Sequence, residues 1–382
     1  CYRVFYHRRP MSIKFWRCCL APLALLLLIS AEVFSGGVVA DNIVADNIVA
    51  DNNKPCSPQQ GMTFVCGPQN AEDLVSISET PWMIASGMSG EGHSGHLYLL
   101  DPAAQTYVEL FPGPSPLFHW KKDEFPVCSG HLNTNNFSAH GLSIRALGGG
   151  LHRLYVTSHG AREAVEIFDI NASSKEPRMA WVGCVEMPQH ASINSVAALA
   201  DGGFITTRIM GEGPQASGDI FAGDVTGYLY EWHPGGDITE LTGTQMSGPN
   251  GIEISSDGKT VFVASWGRGE ISRFRRGADG ALNQDQTTEM NFRVDNLRWS
   301  KDATLYAVGH RLSENQDCGG PLCIDEWEVA ELDPETMQAR TLAVKKSING
   351  FTGATVAIDA DDGLWLGTFH GDRIVFLPKT TH

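Results

Sequence analysis

The chain has few basic residues, no apolar run long enough to span a membrane, and none of the motifs that mark several enzyme classes. Its 382 residues include 28 Lys and Arg against 44 Asp and Glu, for a formal net charge of −16. This charge argues against nucleic acid or anionic membrane surfaces as partners. No nucleophile elbow, glycine-rich phosphate loop or Cys–His catalytic arrangement is found in the sequence. The 41 glycines and 19% charged residues are typical of a turn-rich, all-β globular domain.

The main apolar run, LAPLALLLLI, lies close to the N terminus. It is shorter than the roughly twenty residues that a spanning helix needs. Lys14 and Arg17 precede it and small residues follow up to Ala40, so residues 1–40 are predicted to hold upstream residues and an export signal. We expect a secreted or periplasmic protein without stable membrane insertion once the signal is cleaved. An uncleaved N-terminal anchor is the alternative.

After the signal, the unit VADNI is repeated in tandem, which predicts a flexible tether over residues 41–55 and a globular domain over 56–382. Six cysteines follow the signal, and an exported chain can form disulfides from them. Cys318 and Cys323 flank one Gly-Pro loop and are the pair that the sequence supports. A zinc site is the alternative for this loop, although no second Cys or His pair has metal-ligand spacing beside it.

A unit of three apolar strands recurs six times, with starts at positions 72, 140, 194, 250, 295 and 353. The spacing of these starts is close to the roughly 40–50 residues of a four-stranded propeller blade once loop insertions are allowed. The repeat predicts an all-β fold, a six-bladed β-propeller of four-stranded antiparallel blades around a central channel.

Polar residues open the first strand of these units, and in a propeller such strands line the channel. The residues are Glu72, Asp73, His140, Asn194, Asn250, Asp295 and Asn296. Oxygen atoms crowded on an apolar axis need water, each other or a cation as partners. Amides and carboxylates without Cys suit a hard ion such as Ca²⁺. The alternative is that these are turn residues that only cap backbone amides at strand entries.

Several separated motifs resemble the paraoxonase (arylesterase/lactonase) family of calcium-dependent six-bladed propellers, and more loosely gluconolactonase-like and strictosidine-synthase-like propellers. These motifs are AEDL at 71–74, SAHGLSI at 138–144, INSVAAL at 193–199, PNGIEISSDGKTVFVAS at 249–265 and VDNLRW at 294–299. The resemblance implies a catalytic Ca²⁺ held by five residues of matching type: Glu72, Asn194, Asn250, Asp295 and Asn296.

The resemblance also implies a second Ca²⁺, held by Asp73 and the carbonyl of Leu142. Ser195 stands where the family has an aspartate, so this second site is expected to be weakened or replaced. The family's disulfide between the chain ends is not possible here, because the C terminus has no cysteine. Ring closure is then expected through strand pairing between the ends, or Cys66 pairs with Cys56.

His140 and His159 match a histidine pair that serves as general base and proton relay in the family, and His310 and Thr355 are expected in the substrate pocket. The sequence thus predicts a calcium-dependent hydrolase of lactones and aryl esters, with a metal-polarised carbonyl and a water activated by His140. Two alternatives remain: a gluconolactonase-like sugar lactonase, and a non-enzymatic propeller that binds a ligand or partner and uses calcium only as a structural ion.

Overall fold

The computed structural model describes residues 56–211, 216–313 and 323–379. The predicted export signal and the VADNI tether lie outside these residues. Cys318 does as well, so the predicted Cys318–Cys323 disulfide stays a prediction, although Cys323 is disulfide-bonded.

Within the described residues, 25 strands form six sheets. The first strand, β1 (Thr63–Cys66), belongs to the last sheet. Blade 1 has β2 (Leu74–Ser76), β3 (Met83–Gly87), β4 (His96–Asp101) and β5 (Thr106–Phe111). Blade 2 has β6 (Leu117–Phe118), β7 (Phe137–Gly148), β8 (Leu151–Gly160), β9 (Ala164–Asn171) and β10 (Arg178–Glu186). Blade 3 has β11 (Ile193–Ala198), β12 (Phe204–Arg208), β13 (Gly227–Trp232) and β14 (Thr239–Met246).

The second half of the chain repeats the same pattern. Blade 4 has β15 (Pro249–Ile254), β16 (Thr260–Ser265), β17 (Glu270–Arg276) and β18 (Leu282–Glu289). Blade 5 has β19 (Arg293–Trp299), β20 (Leu305–Leu312), β21 (Ile324–Leu332) and β22 (Ala339–Lys346). Blade 6 has β23 (Ala354–Asp359), β24 (Gly363–Thr368), β25 (Arg373–Pro378) and β1. The predicted six-bladed propeller is confirmed.

The ring closes through its inner strands, which are the first strands of each blade. The inner strands β2, β7, β11, β15, β19 and β23 contact one another in cyclic order, with β23 returning to β2. At the outer edge of blade 6, β1 from the start of the domain pairs with β25 from its end, and Thr63 lies opposite Phe376. Strand pairing between the chain ends is therefore confirmed, and Cys56 is disulfide-bonded to Cys66 beside it.

The core lies between the blades, because each sheet packs its faces against two neighbours. All six residues of β16 are buried, whereas every residue of the outer strand β18 after Leu282 is exposed or partly buried. Trp181, Trp232 and Trp327 are fully buried and come from three different blades. Near-continuous apolar runs are expected where both faces of a strand are covered, and alternation is expected at the solvated edge.

Two additions interrupt the regular blades. The first lies between β5 and β7, where β6 joins blade 2 in parallel to β10 and a Cys128–Cys184 disulfide ties the segment to that strand. The second is a short helix, α1 (Ala216–Ala222), between β12 and β13. The sequence analysis did not predict this helix. Among the described residues, no helix has the length and apolar character needed to cross a membrane.

Candidate active site at the ring centre

Bulges in the inner strands turn the predicted site residues toward the channel. In β7, β11, β15 and β19, two residues lie opposite a single residue of the neighbouring strand. The paired residues at these bulges are His140 with Gly141, Asn194 with Ser195, Asn250 with Gly251, and Asp295 with Asn296. A bulge re-aims side chains and raises the local twist, so residues that look like turn formers in the sequence are placed inside strands.

The glycines of these bulges are required by close contact between inner strands. A Cβ on Gly141 would lie 2.6 Å from the carbonyl oxygen of Asn194, and one on Gly251 would lie 2.6 Å from the carbonyl oxygen of Asp295. Both distances are too short for any side chain. The glycines therefore let each inner strand pack against the next at the level of the site.

Four buried oxygen atoms at the ring centre have no hydrogen-bond partner within the described residues. They are Glu72 Oε2, Asn194 Oδ1, Asn250 Oδ1 and Asn296 Oδ1. All four belong to the five residues predicted to hold the catalytic cation, and the fifth, Asp295, is also buried. Buried acceptors normally have a partner, and one ion bound at the ring centre could supply a partner for all four. An all-oxygen set of amides and carboxylates fits a hard cation such as Ca²⁺.

Direct contacts join these residues into one cluster. Asn296 Nδ2 donates to Glu72 Oε1 at 2.6 Å, and the Asn250 amide bonds the Asp295 carboxyl. Burial raises the pKa of Glu72 well above its usual value, and the charges of Asp73 and Asp295 raise it further. Burial likewise raises the pKa of Asp295 to about 8. A positive ion would offset this cost, because it stabilises the charged form of each carboxyl.

Threonine hydroxyls fix the backbone of three of these residues. Thr157 Oγ1 donates to the carbonyl of Asn194 at 2.6 Å, and Thr207 Oγ1 donates to that of Asn250 at 2.7 Å. Thr355 Oγ1 makes the same bond to the carbonyl of Glu72 at 2.5 Å. Thr355 is fully buried and is not among the residues that line the cavity described below, so the structure corrects its expected place in the substrate pocket. Its hydroxyl supports Glu72 instead.

His140 lies beside this cluster and is linked to a carboxylate through His159. His140 Nδ1 is 2.8 Å from His159 Nε2, and His159 Nδ1 is 2.9 Å from Glu163 Oε2. Glu163 Oε1 accepts from the backbone N–H of Ile193 at 2.6 Å, which holds the carboxylate in place. The sequence analysis named the two histidines but missed Glu163, whose only signal is its position four residues after His159.

The relay leaves one ring nitrogen of His140 facing the cluster. His140 Nε2 is 3.5 Å from Asn194 Nδ2 and 3.8 Å from Glu72 Oε2. Burial, followed by repulsion from His159, lowers the pKa of His140 well below its usual value, so the ring is neutral near pH 7. A neutral ring with its proton on Nδ1 has a free lone pair on Nε2. This geometry makes His140 able to accept a proton at the ring centre.

A cavity of about 320 Å³ opens above the cluster. Its floor consists of Glu72, His140, Asn194, Asn250, Asp295 and His310. Its wall is mostly apolar and comes from several blades and from α1: Met88, Ile209, Met210, Ser217, Ile220, Phe221, Trp266 and Phe369. His310, which was predicted in the substrate pocket, is one of the residues of this floor. Burial lowers the pKa of His310 to about 3, so this histidine is neutral across the physiological range.

The predicted second cation position has a different occupant. Arg298 Nη2 donates to Asp73 Oδ2 and, at 2.7 Å, to the carbonyl of Leu142. These are the two groups that were expected to hold a second Ca²⁺. Because a positively charged guanidinium already bonds both groups, the residues present do not fit a second calcium. Arg298 was visible in the sequence within VDNLRW, but nothing local indicated that it reaches the centre of the ring.

A family model described as Arylesterase matches residues 87–370, which is more than half of the chain. The chain belongs to the arylesterase family. Glu72 and Asp73 lie ahead of the matched range, whereas the two histidines of the relay and the other predicted ligands lie within it. This arylesterase-family protein has no match among curated proteins.

Solved structures with the same fold include a luciferin-regenerating enzyme and a candidate gluconolactonase. The first has a TM-score of 0.51 at 12% identity and covers 83% of this chain and 95% of its own. The second has a TM-score of 0.52 at 13% identity and covers 84% of this chain and 93% of its own. At such low identity these likenesses show the shared propeller fold of the arylesterase-family protein and nothing about its substrate.

Proposed function

We propose that this arylesterase-family propeller is a calcium-dependent hydrolase of lactones and aryl esters that carry apolar groups. One observation carries the proposal: four buried oxygens without partners lie under an apolar cavity, next to a histidine whose Nε2 faces them. A cation site and a proton acceptor on the floor of one cavity are what metal-assisted ester hydrolysis requires.

The cation would be held by Glu72, Asn194, Asn250, Asp295 and Asn296, whose oxygens are buried and mostly without other partners. Two carboxylates and three amides match the charge and the oxygen preference of Ca²⁺. When bound, Ca²⁺ would polarise the substrate carbonyl and stabilise the negative charge that develops on its oxygen.

His140 would remove the proton from the attacking water. Glu163 accepts the Nδ1 proton of His159, so Nε2 of His159 is free to accept the Nδ1 proton of His140. This order of hydrogen bonds leaves the lone pair of His140 at Nε2, on the side of the cluster. After proton uptake, the positive charge on His140 would be shared with His159 and stabilised by the Glu163 carboxylate.

The wall of the cavity would select substrates. Phe221 and Ile220 of α1, together with Trp266 and Phe369, offer apolar contacts and few hydrogen-bonding groups. A sugar lactone would lose water from its hydroxyl groups without finding partners on these side chains, which costs free energy. The wall therefore favours lactones with alkyl chains and aryl esters over sugar lactones, the first of the two alternatives.

We also propose that the protein acts outside the cytoplasm. The disulfides Cys56–Cys66 and Cys128–Cys184 are of a kind that persists in oxidising compartments. Detection of the mature N terminus in the culture medium or periplasm, downstream of the apolar run, would test this proposal.

A substrate panel with and without calcium tests the function. The panel contains alkyl γ- and δ-lactones, phenyl acetate and gluconolactone, each assayed with added Ca²⁺ and after metal removal. We expect calcium-dependent turnover of the first three and little turnover of gluconolactone. Preference for gluconolactone would favour the sugar lactonase, and a calcium-loaded protein without any turnover would favour the binding propeller.

A further inference from the structure

We propose that Arg298 is the second cation of this ring centre, so that the propeller takes up one divalent ion and supplies the other positive charge from its own chain. The inference concerns the architecture of the ring and does not depend on the hydrolase activity. It rests on the contacts of one buried side chain in the inner strand β19.

All the hydrogen-bonding directions of the Arg298 guanidinium are used by groups from several blades. Nε donates to the carbonyl of Leu74 at 3.1 Å, and Nη1 donates to Glu253 Oε1 and to the carbonyl of Leu297, both at 3.0 Å. Nη2 donates to the carbonyl of Leu142 and to the carboxylate of Asp73. Leu297 lies in blade 5 with Arg298, and the other acceptors belong to blades 1, 2 and 4. One side chain thus joins four blades, as a structural metal ion at the axis would.

Both carboxylate oxygens of Asp73 already have hydrogen-bond partners. Its Oδ1 accepts from the backbone N–H of Leu74 at 2.8 Å, and its Oδ2 accepts from that of Leu142 at 2.7 Å as well as from Arg298. Ser195 packs its backbone against Gly141, next to Leu142, and contributes a hydroxyl without charge. A serine here agrees with the guanidinium, since a single positive charge already serves Asp73 and Glu253.

The charges around Arg298 also indicate that the ring centre binds one divalent ion and not two. A guanidinium is always charged in proteins, and Arg298 is paired with the carboxylates of Asp73 and Glu253. A divalent ion at this position would contact a positive group and would compete for the same two oxygens. The unpartnered oxygens of Glu72, Asn194, Asn250 and Asn296 lie in the other set, which has no arginine. At the predicted second site, the unpartnered side-chain oxygen is the uncharged hydroxyl of Ser195. One ion therefore fits the other set, and none fits beside Arg298.

A covalently attached cation cannot be removed by a chelator. The contacts between blades 1, 2, 4 and 5 should therefore persist when calcium is withdrawn. We expect the metal-free chain to stay folded and to regain its calcium and its activity when the ion is returned.

The calcium content of three purified proteins tests the inference. Each is equilibrated with Ca²⁺, freed of loose ions by gel filtration and measured by mass spectrometry for calcium per chain. The wild type should hold one equivalent. The double variant Ser195→Asp with Arg298→Ala frees Asp73 and the Leu142 carbonyl and adds a carboxylate, so it should hold two. Arg273→Ala is the matched control, because Arg273 is another buried arginine bound to Asp285 and to carbonyls, and it should hold one.

Two equivalents in the wild type would overturn the inference, as would a folded double variant that gains none. A wild type without calcium would contradict the proposed cation site of the hydrolase, while a gain of one equivalent in the double variant would still support the role of Arg298.

Asp73→Asn provides a second measurement in case the double variant does not fold. If Asp73 pairs with Arg298, this change should lower the melting temperature equally in Ca²⁺ and after metal removal, and the calcium content should be unchanged. Loss of one calcium equivalent, or a drop in melting temperature seen only with Ca²⁺ present, would show that Asp73 holds a metal ion.

Discussion

Removal of calcium should destabilise the propeller more at pH 8 than at pH 5. The reason lies in the buried carboxyls of the ring centre. Burial raises the pKa of Asp295 from its usual 3.8 to about 8 when no metal ion is present. Glu72 shifts in the same direction, and burial raises the pKa of Glu253 to about 7.

The direction of this pH effect follows from the protonation of Asp295 in the unfolded chain and in the metal-free folded chain. In the unfolded chain the Asp295 carboxyl loses its proton near pH 4, whereas in the metal-free folded chain it keeps the proton until about pH 8. The contribution of this carboxyl to stability is therefore fully present below pH 4 and is lost as the pH rises through 8. A bound cation keeps the carboxylate ionised in the folded state as well. The calcium-loaded protein should therefore not lose this stability as the pH rises.

The expected change in the free energy of unfolding is large enough to measure. One group that is protonated only in the folded state changes the free energy of unfolding by about 1.4 kcal/mol per pH unit. Between pH 5 and pH 8, Asp295 alone should then cost the metal-free protein about 4 kcal/mol, a large part of the ~5–15 kcal/mol stability of a typical domain. The difference in melting temperature between the calcium-loaded and metal-free proteins should widen accordingly.

Thermal unfolding followed by circular dichroism tests this expectation. The metal is removed by dialysis beforehand, because chelators lose affinity at low pH. The metal-free variant Asp295→Asn is the control, and its stability should vary less between pH 5 and pH 8. A metal-free wild type whose stability stays constant or rises over this range would refute the reasoning.

Four further substitutions test the proposed site. Asn250→Ala should lose both bound calcium and turnover, measured by metal analysis and initial rates, whereas Asn283→Ala on the exposed strand β18 should change neither. His140→Gln should reduce turnover by about 10²–10⁴ with calcium still bound, and His159→Gln should reduce it less; an unchanged acidic limb of the pH–rate profile in His140→Gln would rule out His140 as the base. Phe369→Ala should raise KM for alkyl lactones by about tenfold through lost apolar contact, with a smaller change for phenyl acetate. If the variant and the wild type have the same KM for alkyl lactones, this wall does not bind the substrate.

Much of the fold could be predicted from the sequence because its signals are local and repeated. Each blade repeats a polar opening and three apolar strands, and one weak pattern seen six times is a strong one. The residues that face the axis could be named for the same reason, since they are the polar residues at the start of each unit. Their oxygen-rich side chains, Glu72 and Asn194 among them, also indicated the class of ion.

Details that depend on chain segments far apart could not be predicted in this way. No local pattern indicated that α1 would form part of the cavity wall, or that Cys128 would pair with Cys184 across the insertion. Thr355 was expected to face the substrate, but the hydroxyl bonds the carbonyl of Glu72 in the next blade. Such contacts depend on how neighbouring sheets stack.

What the sequence by itself determined is therefore the repeat, the six blades and the oxygen-bearing side chains at the axis, because residue type and local periodicity are enough to define them. Only the tertiary structure decided that Arg298 meets Asp73, a residue 225 positions earlier in the chain, and that it takes the place of a second cation. Closure of the ring brings these two residues together. The low dielectric of the buried centre then makes the pairing of their charges a condition of the fold, because an unpaired charge there would be costly.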